Sequence, residues 1–115
     1  RLESPDNITV TPWGDVLVAE DGGGVNRLIG FTPDGESYVF AQHDIPFPFL
    51  EEEGLPETFR SEVAGPTFSP DGQTLFFNVQ APGVTFAVWG PFPNAGVGAT
   101  RARRMSVAAP PSHLA

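Results

Sequence analysis

Side chains with oxygen donors occur at matching places beside two similar segments of the sequence. Aligning Pro12 with Pro70 superposes the two segments and places Glu20 on Asn78. Asp6 and Glu62 precede their segments by nearly equal distances. Such oxygens are the ligands that calcium prefers, six to eight at a time. The sequence therefore predicts a site for a hard cation among Asp6, Asn7, Glu20, Glu62 and Asn78.

A structural role is the alternative for several of these residues. Asp6 and Asn7 follow Ser4-Pro5, where short polar side chains start turns by bonding to the backbone. Glu20 closes an apolar run and could equally be a solvated strand end. Since neighbouring residues of a strand face opposite ways, the sequence leaves the choice between Asp6 and Asn7 open.

Other kinds of chemistry find little support in the sequence. The chain has no cysteine, which excludes thiol nucleophiles, disulfides and thiolate metal sites. Gly22-Gly23-Gly24 lacks the lysine and hydroxyl residue of a phosphate-binding loop and precedes a strand instead of a helix. His43 and His113 fit no catalytic triad. The Glu51-Glu52-Glu53 run is typical of a solvated surface.

One turn unit, Ser/Thr-Pro-x-Gly-polar, occurs three times and organises the chain. Proline sets the first turn torsion and glycine supplies a positive one. Each unit lies between runs rich in apolar residues, which predicts antiparallel hairpins. The units are Thr11-Pro12-Trp13-Gly14-Asp15, Thr32-Pro33-Asp34-Gly35-Glu36 and Ser69-Pro70-Asp71-Gly72-Gln73.

The hairpins predict an all-β chain built from antiparallel four-stranded meanders. The first meander covers about residues 6 to 42, and the second shows three clear strands, ending with 84–89. A meander every 40 to 60 residues or so is typical of β-propeller blades. The predicted units are a blade over 1–42, a Pro/Phe/Glu-rich insertion over 43–60, an incomplete blade over 61–93 and a Gly/Ala/Pro-rich extension with a basic cluster over 94–115.

Length and composition narrow this interpretation. Two blades cannot close a ring that needs four to eight, so 115 residues predict a fragment whose partner is the rest of a propeller.

All fourteen acids lie between Glu3 and Asp71, there is no lysine, and the net charge is −8, which argues against nucleic-acid binding. No apolar run is long enough to span a membrane, and the first residues lack the pattern of a signal peptide.

An ordered series of motifs over about residues 4 to 92 resembles the C-terminal part of the PhoX family of bacterial alkaline phosphatases. The series begins with Ser4-Pro5-Asp6-Asn7-Ile8 and the first turn unit, continues through Ala19-Glu20-Asp21-Gly22 and Ser61-Glu62 to Gly65-Pro66, and then through Phe68-Ser69-Pro70-Asp71-Gly72, Thr74-Leu75-Phe76, Asn78-Val79-Gln80, Pro82-Gly83 and Trp89-Gly90-Pro91.

The resemblance implies a β-propeller enzyme, periplasmic or secreted, that hydrolyses phosphate monoesters with calcium and a pair of iron ions. It points to Glu20 and Glu62 as metal ligands first, with Asp6 or Asn7 and Asn78 next. The family's iron-binding cysteine and several other ligands belong to regions upstream of this chain, and Ala81 stands where the family often has histidine. The chain is therefore expected to supply metal ligands and to be inactive alone.

Two other functions are consistent with the same turns and acids. One is a fragment of a propeller lactonase or of a strictosidine-synthase-like hydrolase, folds that also carry calcium in a channel. The other is a non-catalytic β-repeat binding module, which would hold no metal.

Overall fold

The computed structural model of the chain describes residues 1–93 and 106–108, which form two antiparallel sheets of four strands each. The first sheet has the order β1-β2-β3-β4 and the second the order β5-β6-β7-β8. The prediction of an all-β chain of antiparallel meanders is confirmed. The strands are β1 (Pro5–Val10), β2 (Val16–Glu20), β3 (Arg27–Phe31), β4 (Ser37–Gln42), β5 (Val63–Phe68), β6 (Thr74–Val79), β7 (Val84–Trp89) and β8 (Ser106–Ala108).

Each predicted turn unit connects two consecutive strands of a sheet. In the first, the Gly14 N–H donates to the Thr11 carbonyl at 3.1 Å, and Gly14 has a φ of 93°, which an L side chain rarely adopts. The Thr11 hydroxyl also accepts the Asp15 N–H at 2.9 Å, which explains why a hydroxyl residue opens the unit. The second unit repeats this pattern from Thr32. In the third, the Gly72 N–H donates to the Ser69 carbonyl, and the Ser69 hydroxyl accepts the N–H of Thr74, one residue further along the chain.

A continuous apolar cluster joins the two sheets. Leu17 and Leu28 from the first sheet and Leu75 and Val88 from the second are fully buried within it. Trp13 belongs to the cluster as well, and its ring packs on several phenylalanines. This shared core fixes the first sheet against the second. The ends of the two sheets therefore keep fixed positions relative to each other.

The second sheet has one strand more than the sequence predicted. β8 pairs with the edge of β7, opposite Ala87, Val88 and Trp89, and makes this sheet four-stranded. Its residues come from the segment that the sequence assigned to a C-terminal extension. A run of only three residues between stretches rich in Gly, Ala, Arg and Pro carries too little alternation to predict a strand. The rest of that segment lies outside the described residues.

The insertion between the sheets contains one turn of helix, α1 (Leu50–Glu53), which ends at Gly54 with a φ of 67°. Its aromatic rings contact one another, Phe47 packing edge-on against Phe49 at 6.0 Å and Phe59 at 5.1 Å. In the part of the chain that the structure describes, no helix has the length and apolar character needed to cross a membrane. Two four-stranded meanders are compatible with propeller blades, and the ring itself stays a prediction.

Candidate metal centre

Three carboxylates from distant parts of the chain meet where β1 begins, β2 ends and β5 begins. They belong to Asp6, Asp21 and Glu62, and one oxygen of each lies within 4.8 Å of those of the other two. The two aspartates are exposed and Glu62 is half-buried. The cluster thus opens to solvent, and its third carboxylate is partly covered by the protein.

An irregularity in β1 directs Asp6 into this cluster. Pro5 pairs with Glu20 and Asn7 with Ala19, so Asp6 is an extra residue with no partner on β2. Such a bulge interrupts the alternation of a strand and turns a side chain in a new direction. Asn7 has a different role, because its Oδ1 accepts the Gly65 N–H at 2.7 Å and links β1 to the neighbouring β5.

The backbone beside the other two carboxylates is fixed by hydrogen bonds. The Asp21 N–H donates to the Ser4 carbonyl at 2.8 Å, which ties the end of β2 to the residues leading into β1. The Glu62 carbonyl accepts the Gln80 N–H at 3.1 Å, which ties the start of β5 to the end of β6. Asp21 and Glu62 are therefore each attached to a strand end whose position is fixed by a backbone hydrogen bond.

The cluster is electrostatically unfavourable for an ionised Glu62. Partial burial raises the pKa of the Glu62 carboxyl above its ordinary 4.5, and the negative charges of Asp21 and Asp6 and hydrogen bonds to both raise it further. A divalent cation would reverse the balance, because it attracts all three carboxylates at once. Cation binding would therefore relieve the repulsion among the three carboxylates.

The carboxylate of Glu20, another predicted ligand, is engaged by an arginine. Its side chain is fully buried and forms a two-point ion pair with Arg27, Nε to Oε2 at 2.8 Å and Nη2 to Oε1 at 2.6 Å. Burial alone would raise its pKa, but the hydrogen bond and charge of Arg27, together with the Glu3 N–H, hold the pKa below its ordinary value.

The remaining predicted ligands also bond within the protein. Asn78 donates from Nδ2 to the Ala64 carbonyl at 3.3 Å, and its Oδ1 accepts the Thr85 hydroxyl at 2.7 Å. Of the five predicted residues, the structure brings the carboxylates of Asp6 and Glu62 together in one cluster, and Glu20 is not a member of it. The side chains of Asn7 and Asn78 are engaged in hydrogen bonds within the protein.

Sequence reasoning missed two residues that matter here. Asp21 is absent from the set of predicted ligands, although the opposite facing of neighbouring strand residues makes it as good a candidate as Glu20. The second is the fully buried Asn26, whose Oδ1 accepts the Gly22 N–H at 2.6 Å and whose Nδ2 donates to the Ser61 carbonyl at 3.0 Å. An isolated asparagine between a glycine run and a strand gave no signal of this role.

Among the described residues, the cluster consists of three carboxylates, the kind of donor set that hard cations such as calcium, magnesium or manganese prefer. The molecule is thus an all-β protein with a candidate centre for a hard metal ion. The family model described as alkaline phosphatase PhoX matches residues 1–83, and the chain belongs to this family. No curated protein and no solved structure gives a significant match.

Proposed function

We propose that this chain is part of a calcium-dependent phosphatase that hydrolyses phosphate monoesters, and that Asp6, Asp21 and Glu62 supply ligands to a calcium ion. Membership of the alkaline phosphatase PhoX family supports the reaction class. The single observation that supports the metal site is the convergence of three carboxylates within 4.8 Å from three separate segments.

The donor set favours calcium over iron at this position. Calcium accepts six to eight oxygens in flexible geometry, so three carboxylates leave coordination positions for water or a substrate oxygen. Iron, which the family resemblance also implies, would need donors from elsewhere in the complete protein. When bound, the cation would neutralise the carboxylates and attract the oxygens of a phosphate ester to this otherwise acidic site.

The arginines near the site have structural partners. Arg27 is bound to Glu20, and Arg60 forms an ion pair with Asp44 at 2.7 Å. Both guanidinium groups are thus already engaged by carboxylates. Charge neutralisation at the substrate is therefore assigned to the cation and to residues beyond this chain, in line with a chain that is inactive by itself. We further propose, from the family resemblance, that the complete enzyme acts in the periplasm or outside the cell.

Isothermal titration of the 115-residue chain with calcium chloride tests the metal site. We expect the unsubstituted chain to bind calcium, and Asp6→Asn, Asp21→Asn and Glu62→Gln each to weaken binding by at least about tenfold. Glu52→Gln in the exposed helix α1 removes the same charge away from the cluster and should leave the affinity unchanged. Absence of calcium binding, or equal affinities in all four variants, would refute the site.

An activity assay tests the fragment interpretation separately. With calcium present, the isolated chain should not release phosphate from a chromogenic monoester above the background rate. Hydrolysis at the rate of a complete phosphatase would show that these residues suffice for catalysis. A longer protein that contains this chain should cleave the phosphate monoester and leave a lactone intact, whereas the reverse preference would support the lactonase alternative.

A further inference from the structure

The ion pair between Glu20 and Arg27 lies at the same end of the first sheet as the candidate metal centre. Glu20 is the last residue of β2 and immediately precedes Asp21, while Arg27 is the first residue of β3. The Glu20 carboxylate is fully buried and receives two hydrogen bonds from Arg27, at 2.8 and 2.6 Å. A bidentate pair of this kind fixes orientation as well as charge.

The same pair holds the segment that leads into Asp6. Three hydrogen bonds connect residues 1–4 to the end of β2 and the start of β3: the Glu3 N–H to Glu20 Oε1 at 2.9 Å, Arg27 Nη2 to the Arg1 carbonyl at 2.8 Å, and the Asp21 N–H to the Ser4 carbonyl at 2.8 Å. Two of the three end on the ion pair itself. The bulge that directs Asp6 follows this segment after a single residue, Pro5.

From these contacts we infer that Glu20 and Arg27 are positioning residues for the metal centre, which set the distance between Asp6 and Asp21 and bind no cation themselves. The inference rests on the proposed cation site. Residues behind a metal site commonly orient its ligands, and their loss weakens metal affinity without removing a donor atom.

The contacts of Glu20 favour positioning over direct ligation. Oε1 accepts from both Glu3 and Arg27, and Oε2 accepts from Arg27, so a cation at either oxygen would have to compete with the guanidinium. Releasing Glu20 would also free residues 1–4, and with them the approach to Asp6. The ion pair and the metal centre thus use different carboxylates, and the ion pair holds the backbone segments that carry the carboxylates of the metal centre.

Two measurements on the 115-residue chain test this inference in Arg27→Lys and Arg27→Met. The first is amide hydrogen exchange at Glu3 and Asp21 in the presence of EDTA, and the second is the calcium dissociation constant. We expect Arg27→Met to lose protection at both amides and to bind calcium about 10 to 100 times more weakly. Arg27→Lys keeps the charge without the two-point geometry, so it should retain part of the amide protection and part of the calcium affinity.

Two control variants separate positioning from a general loss of stability. Asp44→Asn breaks the ion pair with Arg60, in which Asp44 is 87% exposed, and should change neither measurement. Phe40→Leu weakens the buried core of the first sheet and should lower stability while leaving the calcium affinity unchanged. If Phe40→Leu weakened calcium binding as much as Arg27→Met, the ion pair would have only a structural role.

The outcomes distinguish failure of this inference from failure of the proposed function. If the unsubstituted chain binds no calcium, the proposed function fails, and the exchange measurement in EDTA still decides whether Arg27 orders Glu3 and Asp21. If it binds calcium but the Arg27 variants match Asp44→Asn in affinity and in exchange, the inference is wrong. Should Arg27→Met fail to fold, Arg27→Lys gives the same decision from unchanged protection and unchanged affinity.

Discussion

Replacing Glu62 by glutamine should stabilise the calcium-free protein, because the three clustered carboxylates repel one another. At 4.8 Å, two unit charges repel by about 0.9 kcal/mol in a water-like dielectric. Glu62 has two such neighbours, and screening by salt reduces the combined effect to about 1 kcal/mol. The side-chain amide of glutamine can also donate a hydrogen bond to either aspartate. The expected gain for Glu62→Gln at pH 7 is therefore about 1 kcal/mol.

Thermal unfolding in EDTA at about 0.1 M ionic strength, followed by the fluorescence of the buried Trp13, measures this gain. A difference of about 1 kcal/mol corresponds to a rise in Tm of roughly 4 °C or more for a domain of this size. Glu52→Gln, which removes one exposed charge from α1, should shift Tm far less. Equal Tm values for Glu62→Gln and the unsubstituted protein would refute the repulsion on which the reasoning depends.

The pH dependence of this difference follows from the raised pKa of Glu62. The protonated carboxyl contributes stability fully below the ordinary value of 4.5, and this contribution is lost as the pH rises through the raised pKa. The advantage of Glu62→Gln should therefore shrink towards pH 4. Saturating calcium should reverse the order at pH 7, because only the unsubstituted site keeps all three charges for the cation.

Three further substitutions probe the fold around the site. Glu20→Gln should lower the free energy of unfolding by about 2 kcal/mol at pH 7, as measured in urea. This is less than for a fully buried pair, because the side chain of Arg27 is 25% exposed. The difference between the two proteins should disappear as the pH falls through the lowered pKa of Glu20, where the carboxylate loses its charge. Gly30→Ala should cost about 1 to 3 kcal/mol, since the new Cβ would lie 2.2 Å from the ring of Tyr38. Leu17→Ala should cost about 3 kcal/mol through a cavity in the shared core.

Each of these has its own check. A constant cost of Glu20→Gln from pH 7 down to pH 3 would contradict the assignment of the stabilisation to the ionised pair. Gly23→Ala, where an added Cβ meets nothing within 4 Å, is the control for Gly30→Ala, and equal stabilities of the two variants would rule out the clash. A loss below about 1 kcal/mol for Leu17→Ala would show that the two sheets do not share a tight core.

The strands and turns could be predicted because their signals are local. A hydroxyl residue, a proline and a glycine at fixed spacing specify a tight turn whatever the surroundings, and the alternation on either side specifies the strands. The fourth strand of the second sheet lacked such a signal, since its pairing depends on the free edge of β7 and not on its own three residues. The family motifs, being ordered along the chain, were equally readable, and the PhoX prediction is confirmed.

The sequence by itself thus determined the fold class, the family and the presence of acids at the ends of strands. Only the tertiary structure decided which of these acids meet. Neighbours in the chain face opposite ways, so the choice between Asp6 and Asn7 depended on a bulge, and the choice between Glu20 and Asp21 depended on the position of Arg27. Glu62 joins the two aspartates because the core shared by both sheets places β5 beside β1, a relation between distant residues that no local pattern encodes.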